Sequence, residues 1–227
     1  MPVTAKLYIG GTIALGLALL SGSLIWFGQF PEPARYLACL ALACIAATMK
    51  VKLPGFHGTI SVNFVFILMG IAQFPLAEVL TLACAAAVVQ CLWRPKTKPL
   101  LVQVLFSAAT MTISSALAYG TAHLAGEQVQ MWAALAPAAT VFFIVNTGMV
   151  SLVLALISGT STIANWKQCH LWTFPYYLVG AAIAAAVTTS SEALGWRLSL
   201  LTLSLMYLVY CFYTTYVSAH QGESRVS

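Results

Sequence analysis

The residues able to do chemistry in this chain are few, and most are neutral. Within its apolar stretches lie Asn63, Gln73, Gln90, Gln103, Thr110, Thr112, Ser114, Ser115, Asn146, Thr147, Ser151, Thr188, Thr189 and Ser190. Amides and hydroxyls of this kind can bind a small neutral ligand, or they can tie helices together at well under about 2 kcal/mol per contact. Helix tying is the expectation for most of them. The ligand-binding expectation rests on Asn63, Gln103, Asn146 and Thr147, as a small polar patch where the third, fifth and sixth apolar stretches converge. Asn146 stands out because Thr147 and Gly148 follow it, where a backbone can approach closely.

Acid chemistry has little to work with. All five acids are Glu and no Asp is present, which excludes Asp-based triads, Asp dyads and Asp-rich Mg²⁺ or Ca²⁺ sites. Glu78 is the only acid near the interior of a stretch, and it follows Pro75 at the start of one, where a helix dipole stabilises a carboxylate without any further role. Glu192 reads as interfacial. With no acid expected deep in a bilayer, a proton-driven engine is not expected.

The histidines His57, His123, His170 and His220 all fall at the ends of apolar stretches or beyond them, and none has a second ligand at i+3 or i+4. A bis-His haem needs two histidines facing each other at one depth. Cys39, Cys44, Cys84, Cys91 and Cys211 read as small core residues, and the adjacent Cys169 and His170 lack zinc-site spacing. No G-x-S-x-G, H-E-x-x-H, Walker or C-x-x-C motif occurs. The expectation is therefore no catalytic residue, no metal and no cofactor.

What must position these residues follows from composition. Of the 227 residues, 61% are hydrophobic and 7% charged, with a mean hydropathy of +0.91. A soluble domain carries about 25% charged residues, so the chain is read as an integral membrane protein, all-α, a polytopic transmembrane helical bundle. Candidate spans cover residues 7–27, 36–49, 59–74, 76–93, 100–124, 131–157, 171–193 and 198–217, about eight in all, or as few as six if the short second to fourth ones do not cross. They form one transmembrane domain over 1–218, with a short tail over 219–227. The first run is too long for a signal-peptide core and lacks a clean cleavage site.

Positive charge orients the bundle. A cytoplasmic N-terminus places Lys6, Lys50, Lys52, Arg94, Lys96, Lys98, Lys167 and Arg225 inside, with Arg35 and Arg197 outside, so both termini are expected in the cytoplasm. The net charge of +5 fits this better than it fits nucleic-acid binding. Residues 104–118 also match 141–155 at six of fifteen positions, an echo of the kind found in repeat-built transporters.

Two further stretches have structural and functional readings. The basic Pro-Gly segment over 50–58 reads as a turn feeding the third span. Tyr207, Tyr210, Tyr213 and Tyr216 recur every three residues on the last one. Packing and an interfacial belt account for them; Tyr207, Tyr210 and Tyr213 are also the candidate interface for a second copy or another protein.

Several segments resemble a known group. Leu53-Pro-Gly-Phe-His-Gly-Thr-Ile-Ser-Val-Asn-Phe-Val-Phe-Ile-Leu68 is similar to a stretch in the N-terminal membrane modules of bacterial diguanylate cyclases and HD-GYP phosphodiesterases. Gln103-Val-Leu-Phe-Ser107 looks like a recurring segment of those modules, with Ser107 where Asn is common. Residues 143–156 resemble the next segment and retain Asn146, and residues 205–213 resemble the last span before the output domain. The chain ends about ten residues beyond the last span, so no output domain is expected.

The resemblance implies sensing or scaffolding in a bacterial cytoplasmic membrane. The resulting expectation is a non-enzymatic module for signal input, small-ligand binding or partner interaction, either as a homo-oligomer or with a membrane or cytoplasmic protein. The alternatives are a transporter, the substrate-binding subunit of a vitamin-type uptake system, or an accessory subunit of a membrane complex.

Overall fold

A computed structural model describes residues 1–52, 59–95, 98–124, 130–163, 166 and 174–194, together with 201, 202, 204, 207, 208 and 211 in the last apolar stretch. Three helices are long: α1 (Val3–Phe27), α5 (Leu101–Leu124) and α6 (Met131–Ser158), of 25, 24 and 28 residues. At about 1.5 Å per residue each exceeds the roughly 30 Å hydrocarbon core of a bilayer. Their most apolar windows reach mean hydropathies of 1.7, 1.6 and 2.2. Large apolar side chains stand on the outside of α1, with Ile25 77% and Trp26 81% exposed. Such a surface is stable against lipid tails and not against water, so the chain is a membrane protein.

Four shorter helices complete what is described, namely α2 (Pro33–Thr48), α3 (Phe64–Gln73), α4 (Leu76–Leu92) and α7 (Phe174–Leu194). The described positions from 201 to 211 are also helical. Most bounds lie close to the expected spans. The third span is the exception. Residues Thr59–Ser61 form a strand, β2, paired antiparallel with β1 (Lys50–Lys52) in the register Lys50↔Ser61, Val51↔Ile60 and Lys52↔Thr59. The hairpin satisfies backbone groups that would otherwise have to be met in helix, and the helix begins only at Phe64. Ten residues reach about 15 Å, half a bilayer.

This short α3 is the centre of the molecule. Every residue from Phe64 to Ile71 is buried, and none of the apolar side chains there is more than 2% exposed. A helix that is apolar all round must be enclosed by others, and α2, α4, α5, α6 and α7 all pack against it. Small residues on the enclosing helices (Ala43, Ala83, Ala118, Ala138, Ala181) allow the close approach. Phe74 is extended, and Pro75 then starts α4 in a position where a missing N–H costs nothing. Helix α6 carries Pro137 internally and stops at Gly159, whose left-handed φ of 71° closes the helix with a 2.8 Å bond to the Ala155 carbonyl.

Side-chain contacts set the direction of the elements. Lys50 Nζ donates to the Trp93 carbonyl at 2.6 Å, and Arg35 Nη2 donates to Gln73 Oε1 at 2.8 Å. Helices α2 and α4 therefore run opposite to α3. The Tyr8 hydroxyl of α1 reaches the Met149 carbonyl of α6 at 3.3 Å, while its ring lies 6.1 Å from that of Phe106 on α5. Lys6, Lys50, Arg94 and Lys98 consequently fall at one end of the bundle and Arg35 at the other, while Lys96, Lys167, Arg197 and Arg225 lie outside the described residues.

Candidate functional site

A cleft of about 850 Å³ opens between the first turns of α1 and α5 and the last turns of α6. Its walls include Ile9, Phe106, Val150, Val153, Leu154 and Ile157, and its polar side chains are Gln103 and Ser107. Gln103 is exposed, and its Oε1 accepts the Leu100 N–H at 2.9 Å, capping α5. Its Nε2 donates to nothing among the described residues. The arrangement suits a mostly apolar molecule with one hydrogen-bonding group.

The other expected ligand residues lie elsewhere. Asn63, 2% exposed, precedes α3; its Oδ1 accepts the Ser61 hydroxyl at 2.7 Å and its Nδ2 approaches Gln90 Oε1 of α4 at 3.5 Å. Asn146 faces the buried Tyr177 hydroxyl on α7. Thr147 Oγ1 receives the Trp166 indole N–H at 2.8 Å and donates to the Phe143 carbonyl. Asn63 and Asn146 border one aromatic cluster, since the rings of Phe64 and Tyr177 lie 4.6 Å apart. Gln103 is separate from it, and no hydrogen bond among the described residues joins any two of Asn63, Gln103, Asn146 and Thr147. The single patch expected from sequence is thus two places.

Thr147 and Thr188 do link elements, to Trp166 and Gln73, but several other hydroxyls expected to tie helices together bond back onto their own helix. Thr110, Thr112 and Ser114 are buried and donate to the carbonyls of Phe106, Ala108 and Thr110, four residues back. This back-bonding satisfies them without a neighbour.

A second polar group was not anticipated from sequence. At the Arg35 end, the guanidinium is paired with Glu32 at 3.2 Å, donates to Gln73 at 2.8 Å and lies 5.7 Å from the Phe74 ring centre. Gln73 Nε2 in turn approaches Thr188 Oγ1 of α7 at 3.4 Å, and Tyr36 bonds Thr81 at 2.8 Å. Glu78 sits within electrostatic range of Glu32 and Arg35. It does lie in the first turn of α4, as expected, but it is 1% exposed. The Phe74–Pro75 turn tucks this helix end against α2, and that packing buries an acid that sequence placed at a boundary.

Among the described residues no three His, Cys, Asp or Glu side chains gather as a metal site requires. His123 stacks on Tyr119 with centroids 3.9 Å apart. Tyr207 is helical and 55% exposed, whereas Tyr210, Tyr213 and Tyr216 lie outside the described residues, as do His57, His170, His220 and Cys169. No family model matches the chain, and no characterised protein or solved structure matches it either.

Proposed function

We propose that this protein is a non-enzymatic membrane module that binds a small, largely apolar ligand in the cleft between α1, α5 and α6. The observation that carries the reading is the cleft itself, about 850 Å³ with Gln103 and Ser107 set in otherwise apolar walls. Ligand sites have this composition, with an apolar lining that supplies affinity and a few polar groups that fix orientation. In this reading the cation-bearing end faces the bacterial cytoplasm, as positive residues prefer, and occupancy reaches a second copy or a partner protein through the last span and its tyrosines. The resemblance to N-terminal modules of cyclase and phosphodiesterase proteins supports signal input as the purpose.

A diazirine-bearing long-chain alcohol tests the reading. Photolabelling of the purified full chain should concentrate on peptides from the start of α5 and the end of α6, and it should weaken in Gln103→Leu. Labelling spread over every lipid-facing helix in proportion to its exposure would sink the idea.

A second reading, the substrate-binding subunit of an uptake system, is favoured by one observation. The buried half-length α3, entered through a hairpin, has the form of the interrupted elements that surround transporter substrates. Uptake of a solute into proteoliposomes only when an ATPase partner is present would select it over signal input.

A further inference from the structure

We propose that the cleft between α1, α5 and α6 takes a long-chain carboxylate, its head on Gln103 and Ser107 and its chain along the apolar walls. This rests on the cleft being a ligand site, and it names the class of ligand. Two open donors carry the inference. Gln103 and Ser107 both line the cleft. Four residues apart on α5, they stand one above the other on a single helix face, about 5–6 Å apart at Cβ. Gln103 Oε1 is engaged by the Leu100 N–H at 2.9 Å, which leaves the Nε2 hydrogens to donate. The Ser107 hydroxyl has no partner among the described residues. Thr110, Thr112 and Ser114, further along the same helix, instead bond back to carbonyls.

A carboxylate is acceptor-only and has two oxygens, so it can take one bond from each donor. Its charge makes each bond about twice as strong as a neutral one. An alcohol brings one oxygen to two donors, and an ammonium brings only further donors. Surrounding charge selects the anion as well. Lys98 stands two residues before Leu100 of the cleft wall, and Lys6 lies one turn along α1 from Pro2, another wall residue; both lysines are exposed. The acids Glu32 and Glu78 belong to the Arg35 end, and α7 carries position 192 past Thr188 toward that same end. No carboxylate among the described residues therefore competes at the mouth. Gln103 and Ser107 occupy the first two turns of α5, so a charged head there stays out of the bilayer centre, where it would be costly. The volume of about 850 Å³ falls within the range of sites for one small ligand. Phe106, Val150, Val153 and Leu154 then wall a single chain.

The test is competition against the diazirine alcohol on the purified full chain in non-ionic micelles at pH 9, where a carboxylate is ionised. Unlabelled hexadecanoate, hexadecanol and phosphatidylglycerol are the competitors, each varied as a mole fraction of the micelle. Hexadecanoate is expected to clear label from the start of α5 and the end of α6 at about one tenth of the mole fraction that hexadecanol needs. That ratio is the gain from charging one hydrogen bond. Ser107→Ala should remove most of the preference. Equal displacement by acid and alcohol, with label still concentrated in the cleft, overturns the carboxylate and leaves the cleft standing as a ligand site. A preference unchanged in Ser107→Ala overturns it too, and so does phosphatidylglycerol competing as well as hexadecanoate, which would make the occupant a two-chain lipid. Label spread over every lipid-facing helix overturns both readings together. Should Ser107→Ala fail to fold, the wild-type competition decides alone.

Discussion

Gly16 of α1 packs directly on Ala109 of α5: a Cβ built on Gly16 would fall 2.6 Å from both the Cα and the Cβ of Ala109. Backbone meets backbone there, so no flexible side chain can yield. Gly16→Ala is expected to destabilise the bundle by about 1–3 kcal/mol through overpacking. Gly10→Ala on the same helix meets nothing within 4 Å and should be neutral or stabilising by up to ~1 kcal/mol from helix propensity. Thermal unfolding in detergent compares the two, and equal midpoints would show that the α1–α5 contact is not tight.

Asn63 anchors the entry to α3. Its Oδ1 takes the buried Ser61 hydroxyl at 2.7 Å, so Asn63→Ala strands that donor away from water. The expected cost is about 1–3 kcal/mol. Thr121→Ala, which removes an exposed bond to the Leu117 carbonyl, should stay within about 0.5 kcal/mol. Chemical unfolding of both variants checks the contrast.

Direction along the bundle predicts opposite labelling. In a background with the native cysteines replaced, Glu32→Cys and Lys98→Cys should react with a membrane-impermeant maleimide from opposite faces of sealed vesicles. Reaction of both from the same face would contradict the alternation of α2, α3 and α4.

Filling the cleft should displace its ligand without unfolding the protein. Leu154 is 44% exposed and lines the cleft, so Leu154→Trp can be accommodated there. Photolabelling by the diazirine alcohol is expected to fall to background while the unfolding midpoint stays within about 0.5 kcal/mol of wild type, as for other exposed substitutions.

Much of the architecture was legible in the chain. Helices α1, α5 and α6 coincide with long apolar runs because a run of roughly 20 such residues has no stable place except across a bilayer. The α3–α4 break was legible from Pro75. The true start of α3 was not. Thr59-Ile-Ser-Val-Asn63 alternates polar and apolar residues with the period of a strand, but it is too short to decide by itself, and the strand there depends on pairing with Lys50–Lys52 across the hairpin.

The candidate residues divide in the same way. Gln103, one of the four residues read from sequence as ligand-binding, lines the cleft. Its separation from Asn63 and Asn146 was hidden, because lipid-facing and core-facing surfaces are both apolar and leave no amphipathic stripe from which to read a helix's rotation. The burial of Glu78 was hidden as well. Position behind Pro75 located it along its helix, but its depth depends on how α2 covers that first turn.

By itself, then, the sequence determined the solvent, the helical content and the asymmetry of charge, since each depends on which residues occur and in what runs. Only the tertiary structure decided which polar atoms are satisfied, which are left buried, and where a cleft remains. Those outcomes depend on contacts between elements far apart in the chain, such as Arg35 with Gln73 and Gln73 with Thr188, which no local run of residues encodes.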